Sequence, residues 1–166
     1  MISQVPTPCS PADASLPQLP AKAAVYPSYV ESVSFGKALC AADHIPAGTV
    51  VEKFVGPIVQ YDELSPVDKT YVLNFWDQTS QTWSWLLPLS NARYCNHSCS
   101  PNSEIRSSTL EVVTTRPVSK GEQLTFTYNV GEDSDWWDPL WSFRCACGNN
   151  ECQGMIDRYR PLSCNR

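Results

Sequence analysis

From residue 25 onward, apolar positions fall in short runs separated by turn residues. Residues 49–54 (Thr-Val-Val-Glu-Lys-Phe) and 71–76 are β-branched and aromatic, the composition of strands. Residues 83–87 pair back on 71–76 across Asp77-Gln78-Thr79-Ser80. Residues 103–106 and 110–115 form a hairpin, and a further strand over 123–128 follows the Lys120-Gly121 turn. The one helix expected is short and begins near Ser65-Pro66, where proline suits a first helical position. Residues 1–24 are rich in Pro, Ser and Ala and lack hydrophobic periodicity, so a flexible arm or an extended strap is expected there. The pattern predicts a mostly-β domain with long functional loops and no internal repeat.

Composition narrows this reading only slightly. A chain of 166 residues is long enough for one domain, which at this size buries about 70% of its unfolded surface. The net charge of −5 argues against nucleic acid as the main partner and favours a basic protein or peptide. No apolar run approaches the ~18 residues of a membrane span. The N-terminus lacks a charged-then-apolar leader, so the eight cysteines are expected in a reducing compartment, binding metal or free.

The cysteines change the picture more. Cys99 stands mid-chain in Asn96-His97-Ser98-Cys99-Ser100-Pro101-Asn102, while Cys145, Cys147 and Cys152 follow C-x-C-x4-C spacing around Gly148-Asn149-Asn150. One cysteine alone reads as a small buried hydrophobe. Three so closely spaced, with a fourth to complete a tetrahedron, predict a closed structural zinc site. Such a clamp ties the end of the chain onto the Asn96-His97 segment. Cys9, Cys40, Cys95 and Cys164 are expected to stay outside it.

Residues 93–102 (Arg-Tyr-Cys-Asn-His-Ser-Cys-Ser-Pro-Asn) resemble the central motif of SET-domain protein lysine methyltransferases. Residues 121–128 (Gly-Glu-Gln-Leu-Thr-Phe-Thr-Tyr) resemble their second motif, and residues 145–154 their post-SET zinc segment. Residues 36–39, 45–49 and 54–56 are similar to the family's opening strands. The resemblance implies a SET-domain β-clip: small curved sheets around a pseudoknot, with a C-terminal zinc-binding post-SET segment. The implied division is an arm over 1–24, a SET domain over 25–142, and a post-SET segment and tail over 143–166.

The implied activity is methyl transfer from S-adenosyl-L-methionine to a lysine side chain of a protein, a histone or another. A non-catalytic SET-like module that binds a protein partner is the alternative. By resemblance Tyr128 is catalytic, and Asn96, the backbone of His97, Arg93, Tyr71 and the backbone of Gly36, Lys37 and Ala38 bind the cofactor. Phe126 and Phe75 line the substrate channel, and Phe126 sits where product multiplicity is controlled. Cys99, Cys145, Cys147 and Cys152 hold Zn2+. The implied partner is a lysine-bearing, basic protein or peptide, with no direct nucleic acid, no membrane and a monomeric enzyme. The implied location is intracellular, nuclear for a eukaryotic chromatin enzyme and cytoplasmic otherwise.

Plainer roles compete with several of these. Tyr128 also reads as an ordinary strand tyrosine, Asn96 as a turn cap, and His97 as a zinc ligand. Phe54, Phe75 and Trp76 read equally well as core. Residues 132–141, with three tryptophans, are either a solvated acidic loop or a segment packed over cofactor or substrate. The chain also departs from the family: Ala38 replaces the second glycine of Gly-x-Gly, putting an extra methyl where the backbone approaches the cofactor. Phe54, Pro57 and Thr127 stand where tyrosine, glutamate and aspartate are usual. The Ile-Asp usual before Arg93 and a cysteine-rich pre-SET region are missing from the sequence.

Overall fold

The computed structural model describes residues 28–131 and 135–161. The expected N-terminal arm, with Cys9, and the tail cysteine Cys164 lie outside those residues. In chain order the strands are β1 (Ser28–Val33), β2 (Gly36–Ala41), β3 (Val50–Lys53) and β4 (Ile58–Val59). The helix α1 (Pro66–Lys69) then precedes β5 (Leu73–Asp77), β6 (Thr82–Leu86) and β7 (Asn96–His97). The series closes with β8 (Ser103–Arg106), β9 (Glu111–Thr114), β10 (Thr125–Phe126), β11 (Phe143–Arg144) and β12 (Met155–Ile156). No helix among the described residues is long and apolar enough to cross a membrane.

The strands form five small sheets instead of one large one: β1-β2, β3-β9-β8, β4-β6-β5, β10-β7 and β11-β12. The expected hairpins are there, with β5 and β6 paired from Leu73↔Leu86 to Asp77↔Thr82, and β8 and β9 from Ser103↔Thr114 to Arg106↔Glu111. The helix also forms where proline placed it: Pro66 opens α1 and the Ser65 side chain accepts a hydrogen bond from the Asp68 N–H. The expected strand over 123–128 differs. The stretch is divided between two partners: Gln123 bridges antiparallel to Cys40, with Leu124 N–H donating to Leu39 O at 2.8 Å, while Thr125 and Phe126 pair in parallel with Asn96 and His97.

The core lies where the sheets meet. Leu39, Ile45, Val112, Val118 and Leu124 are fully buried, with Val51, Phe54, Leu86 and Ala92 around them. Burying each such aliphatic side chain stabilises the fold by roughly 1.5–3 kcal/mol. Alternation along β5 and β6 sends Leu73, Phe75 and Leu86 to this core. The opposite face of that sheet carries Trp76, Trp83 and Trp85, since Trp76 pairs directly with Trp83 and Trp85 lies two residues on.

Two backbone approaches lock the pieces together. Leu87 N–H donates to Pro57 O at 3.0 Å and Leu89 N–H to Val55 O at 2.8 Å, so two chain segments press together around Gly56. At the other end, Arg160 N–H donates to Asn129 O at 2.8 Å and Gly131 N–H to Arg160 O at 3.1 Å. The end of the chain is thereby stitched to the residues just after Tyr128.

Candidate active site

The site is built where β7 and β10 run side by side, Thr125 beside Asn96 and Phe126 beside His97. Asn102, only 1% exposed, holds this crossing. Its Nδ2 donates to Gln123 O at 2.8 Å and to the Glu122 carboxylate at 3.1 Å, and its Oδ1 accepts from the Thr125 N–H at 2.9 Å. One buried amide therefore satisfies backbone groups that would otherwise be orphaned. Asn102 stood in the central motif but had no role assigned there; its full burial, invisible in one sequence, reveals the role.

Tyr128 emerges from this crossing. Its hydroxyl donates to the Cys95 carbonyl at 2.7 Å, and its N–H donates to His97 Nδ1 at 3.1 Å. Burial pushes the phenol pKa above its ordinary value, so the hydroxyl stays protonated at neutral pH. Burial also lowers His97 to about 4, leaving the ring neutral. With Nδ1 accepting, the proton of the His97 ring belongs on Nε2, 3.4 Å from Cys99 Sγ. The rings against Tyr128 are those of Phe126, His97 and Phe143, at centroid distances of 4.8, 5.4 and 6.0 Å, and Phe54 meets Phe126 edge-on at 5.9 Å. Phe54 belongs to the core cluster, Phe75 and Phe126 both pack against it, and none of the three is part of the cavity wall.

Beside Tyr128 opens a cavity of about 720 Å³, within the usual range for small-molecule sites. Its wall includes Asn96, His97 and Tyr128 on one side, Phe35 on another, and Phe143, Cys145, Cys147 and Asn149 of the C-terminal segment. Gly36, Lys37, Ala38, Tyr71 and Arg93 are not part of that wall. Lys37 reaches it indirectly, because its carbonyl accepts from Asn96 Nδ2 at 3.1 Å. The same Nδ2 donates to Gln123 Oε1 at 3.2 Å, so Asn96 is held from two directions.

Arg93, Lys37 and two tyrosines form a second cluster. The Arg93 guanidinium stacks 4.2 Å from the Tyr71 ring, and both Arg93 and Lys37 lie over Tyr94, at 5.6 and 5.2 Å. Arg93 Nε is buried with no hydrogen-bond partner. Ala38 is completely buried, so its methyl belongs to the core and not to the cavity surface. The tryptophans of residues 135–141 do not line the cavity either: Trp141 packs on Tyr61 and Trp85 across the outer face of the β4-β6-β5 sheet.

The sulfurs of Cys99, Cys145, Cys147 and Cys152 all lie within 4.8 Å of one another. Cys99 and Cys145 Sγ are 3.8 Å apart, the separation of about 3.8 Å expected for thiolates at tetrahedral corners about 2.3 Å from zinc. Backbone N–H groups of Gln153 and Gly154 point at Cys99 and Cys152 Sγ, at 3.4 and 3.5 Å. Burial opposes ionisation of Cys147, but hydrogen bonds from Asn149 outweigh it and hold this thiol at about 5. The donor set fits a closed zinc site. Cys40 and Cys95 are buried elsewhere, Cys95 donating to Leu124 O at 3.1 Å.

Comparison with known proteins follows the same lines. The SET domain family model matches residues 36–129. Methyltransferase flvH of Aspergillus flavus is 46% identical over 70 residues, 41% of this chain and 37% of that protein. A histone-lysine N-methyltransferase, H3 lysine-36 specific, from Cryptococcus neoformans is 29% identical over 137 residues, 73% of this chain and 16% of that one. Among solved structures, KRYPTONITE in complex with mCHH DNA, H3(1-15) peptide and SAH superimposes with a TM-score of 0.60. That match is 21% identical and covers 78% of this chain and 29% of the other. The chain therefore spans well under two thirds of the length of these relatives.

Proposed function

The chain belongs to the SET-domain family, and we propose that it transfers methyl groups from S-adenosylmethionine to a lysine side chain of a protein. The observation that carries this is the meeting of Tyr128, Asn96 and His97 at one cavity whose far wall comes from the C-terminal cysteine segment. S-adenosylmethionine, when bound, supplies an activated methyl and its own leaving group, leaving binding and alignment to the protein. Asn96, fixed by Lys37 and Gln123, and the His97 backbone hold its polar end in the cavity. Arg93, stacked on Tyr71 outside the cavity wall, keeps the role the resemblance implies, a charged donor near the cofactor's carboxylate.

Tyr128 keeps its proton on the Cys95 carbonyl and so presents oxygen lone pairs to the incoming amine. The aromatic rings of Tyr128 and Phe143 in the cavity wall, with Phe126 packed on Tyr128, disfavour an ammonium by desolvation, so lysine enters as the neutral nucleophile. Alignment at near-attack distance then supplies much of the acceleration. The named relatives include histone-lysine methyltransferases, and together with the net charge of −5 this favours a basic, histone-like substrate and a nuclear location. The four cysteines hold zinc, whose role is to fix the cavity wall and not to react.

Calorimetric titration with S-adenosylmethionine tests the reading. Saturable binding is expected, weakened by Asn96→Ala. Tyr128→Phe is expected to keep that affinity while losing turnover about a hundredfold, the usual cost of deleting one positioned polar group at a reacting centre. No binding heat and no thermal shift would leave the chain a protein-interaction module.

A further inference from the structure

All six tryptophans of the chain lie in one band. Trp76 and Trp83 meet edge to face at 5.8 Å on the outer side of the β5-β6 hairpin, and Trp85 shares that face. Tyr61 stacks on Trp85 at 4.6 Å, and Trp141 joins both, at 5.7 and 5.6 Å. Trp136 and Trp137 continue the band from Trp141 at 5.2 and 5.5 Å. The outer face of an antiparallel sheet is ordinarily polar. Here Trp83 is 66% exposed and Trp136 59% exposed, a contiguous aromatic surface of the kind that marks an interaction site.

Charge decides what it takes. Asp138 accepts the Tyr61 hydroxyl at 2.6 Å inside the band, and exposed Asp62 and Glu63 follow Tyr61 directly. A cation already occupies part of this surface: the Lys69 ammonium lies 4.7 Å over the Tyr61 ring, anchored by the Trp141 indole N–H on the Lys69 carbonyl at 2.9 Å. Flat indole faces beside carboxylates suit a planar guanidinium best, which stacks on rings while pairing with acids. We propose that this band docks a basic, arginine-bearing segment of the protein that carries the target lysine. Calling the occupant a substrate rests on the methyltransferase reading; the binding itself does not.

The band reports on itself, because tryptophan emission arises nowhere else in the chain. An acetylated and amidated (Arg-Ser)4 peptide is titrated into the zinc-loaded protein without S-adenosylmethionine, with (Glu-Ser)4 as the counterpart. A saturable change in emission is expected with the arginine peptide and none with the glutamate peptide. Raising salt from about 50 to about 500 mM should weaken binding by screening the carboxylates. Trp83→Ala and Trp136→Ala, both at exposed positions, should each weaken binding about tenfold while zinc content and S-adenosylmethionine affinity stay at wild-type values. No saturable change in the wild type, or an unaltered affinity in the double variant, overturns the proposal. A dimer in sedimentation that Trp83→Ala dissociates also overturns it, by assigning the band to a second copy of the chain. Since no cofactor enters the titration, its failure and a failed cofactor titration are separate results.

Discussion

Phe126 leans on Tyr128 with ring centroids 4.8 Å apart and meets Phe54 edge-on, so it presents only carbon beside the Tyr128 ring. A methylated amine can rotate against such a surface without losing a hydrogen bond, and repeated transfer to di- or trimethyl-lysine is expected. Phe126→Tyr adds a hydroxyl that holds a water or the amine, and products should shift toward monomethyl-lysine while the first transfer keeps its rate within about tenfold. Mass spectrometry of time courses with excess cofactor checks this, and a wild type that stops at one methyl contradicts it. Tyr128, Asn96 and the four cysteines were legible in the sequence because each is a side chain in a spaced motif. The Cys95 carbonyl that takes the Tyr128 hydroxyl was not, since a backbone acceptor leaves no mark on residue identity. Ala38 shows the reverse case: its departure from glycine is conspicuous in the sequence, yet its methyl is buried in the core.

Two hairpins, β5-β6 and β8-β9, were readable from composition and turn residues, whereas β1-β2 was not, although only Ser34 and Phe35 separate its strands. Pairings between distant segments were not: β7-β10 and β11-β12 have two residues per strand, too few to carry a period. The core-facing half of the β5-β6 hairpin was foreseen only as a choice between core and channel for Phe75, and packing selected the core. Gly56 shows how tightly the elements are set. A Cβ there would overlap the Leu87 carbonyl oxygen and approach Leu89 N to 3.3 Å, both backbone atoms that cannot turn aside. Gly56→Ala should therefore prise apart the contacts of Val55 and Pro57 with Leu87 and Leu89. A loss of about 2 kcal/mol or more is expected, in line with overpacking at a rigid site. Denaturant unfolding measures it; an unchanged midpoint would show that the two segments separate freely.

Across the whole molecule, the cysteine cluster joins Cys99, beside the β7-β10 crossing, to the segment that walls the cavity. Metal removal should act on both at once. Chelation is expected to expose the segment around residues 143–156 to proteolysis and to weaken S-adenosylmethionine binding at least tenfold, because binding and folding of that segment are linked. Readdition of zinc should restore both, and Cys145→Ser should mimic the chelated state with zinc content below one per chain. Full cofactor affinity in metal-free protein would separate the cluster from the site. The cluster also imposes an order of events on synthesis. Cys99 leaves the ribosome 46 residues before Cys145, which at roughly 5–20 residues per second is a wait of about 2–9 seconds. During that interval Cys99 is a lone thiol with none of its three partner ligands yet made, open to oxidation or to the wrong metal. The nascent chain thus carries an unshared thiol at Cys99 until the three cysteines that can share a metal with it have followed.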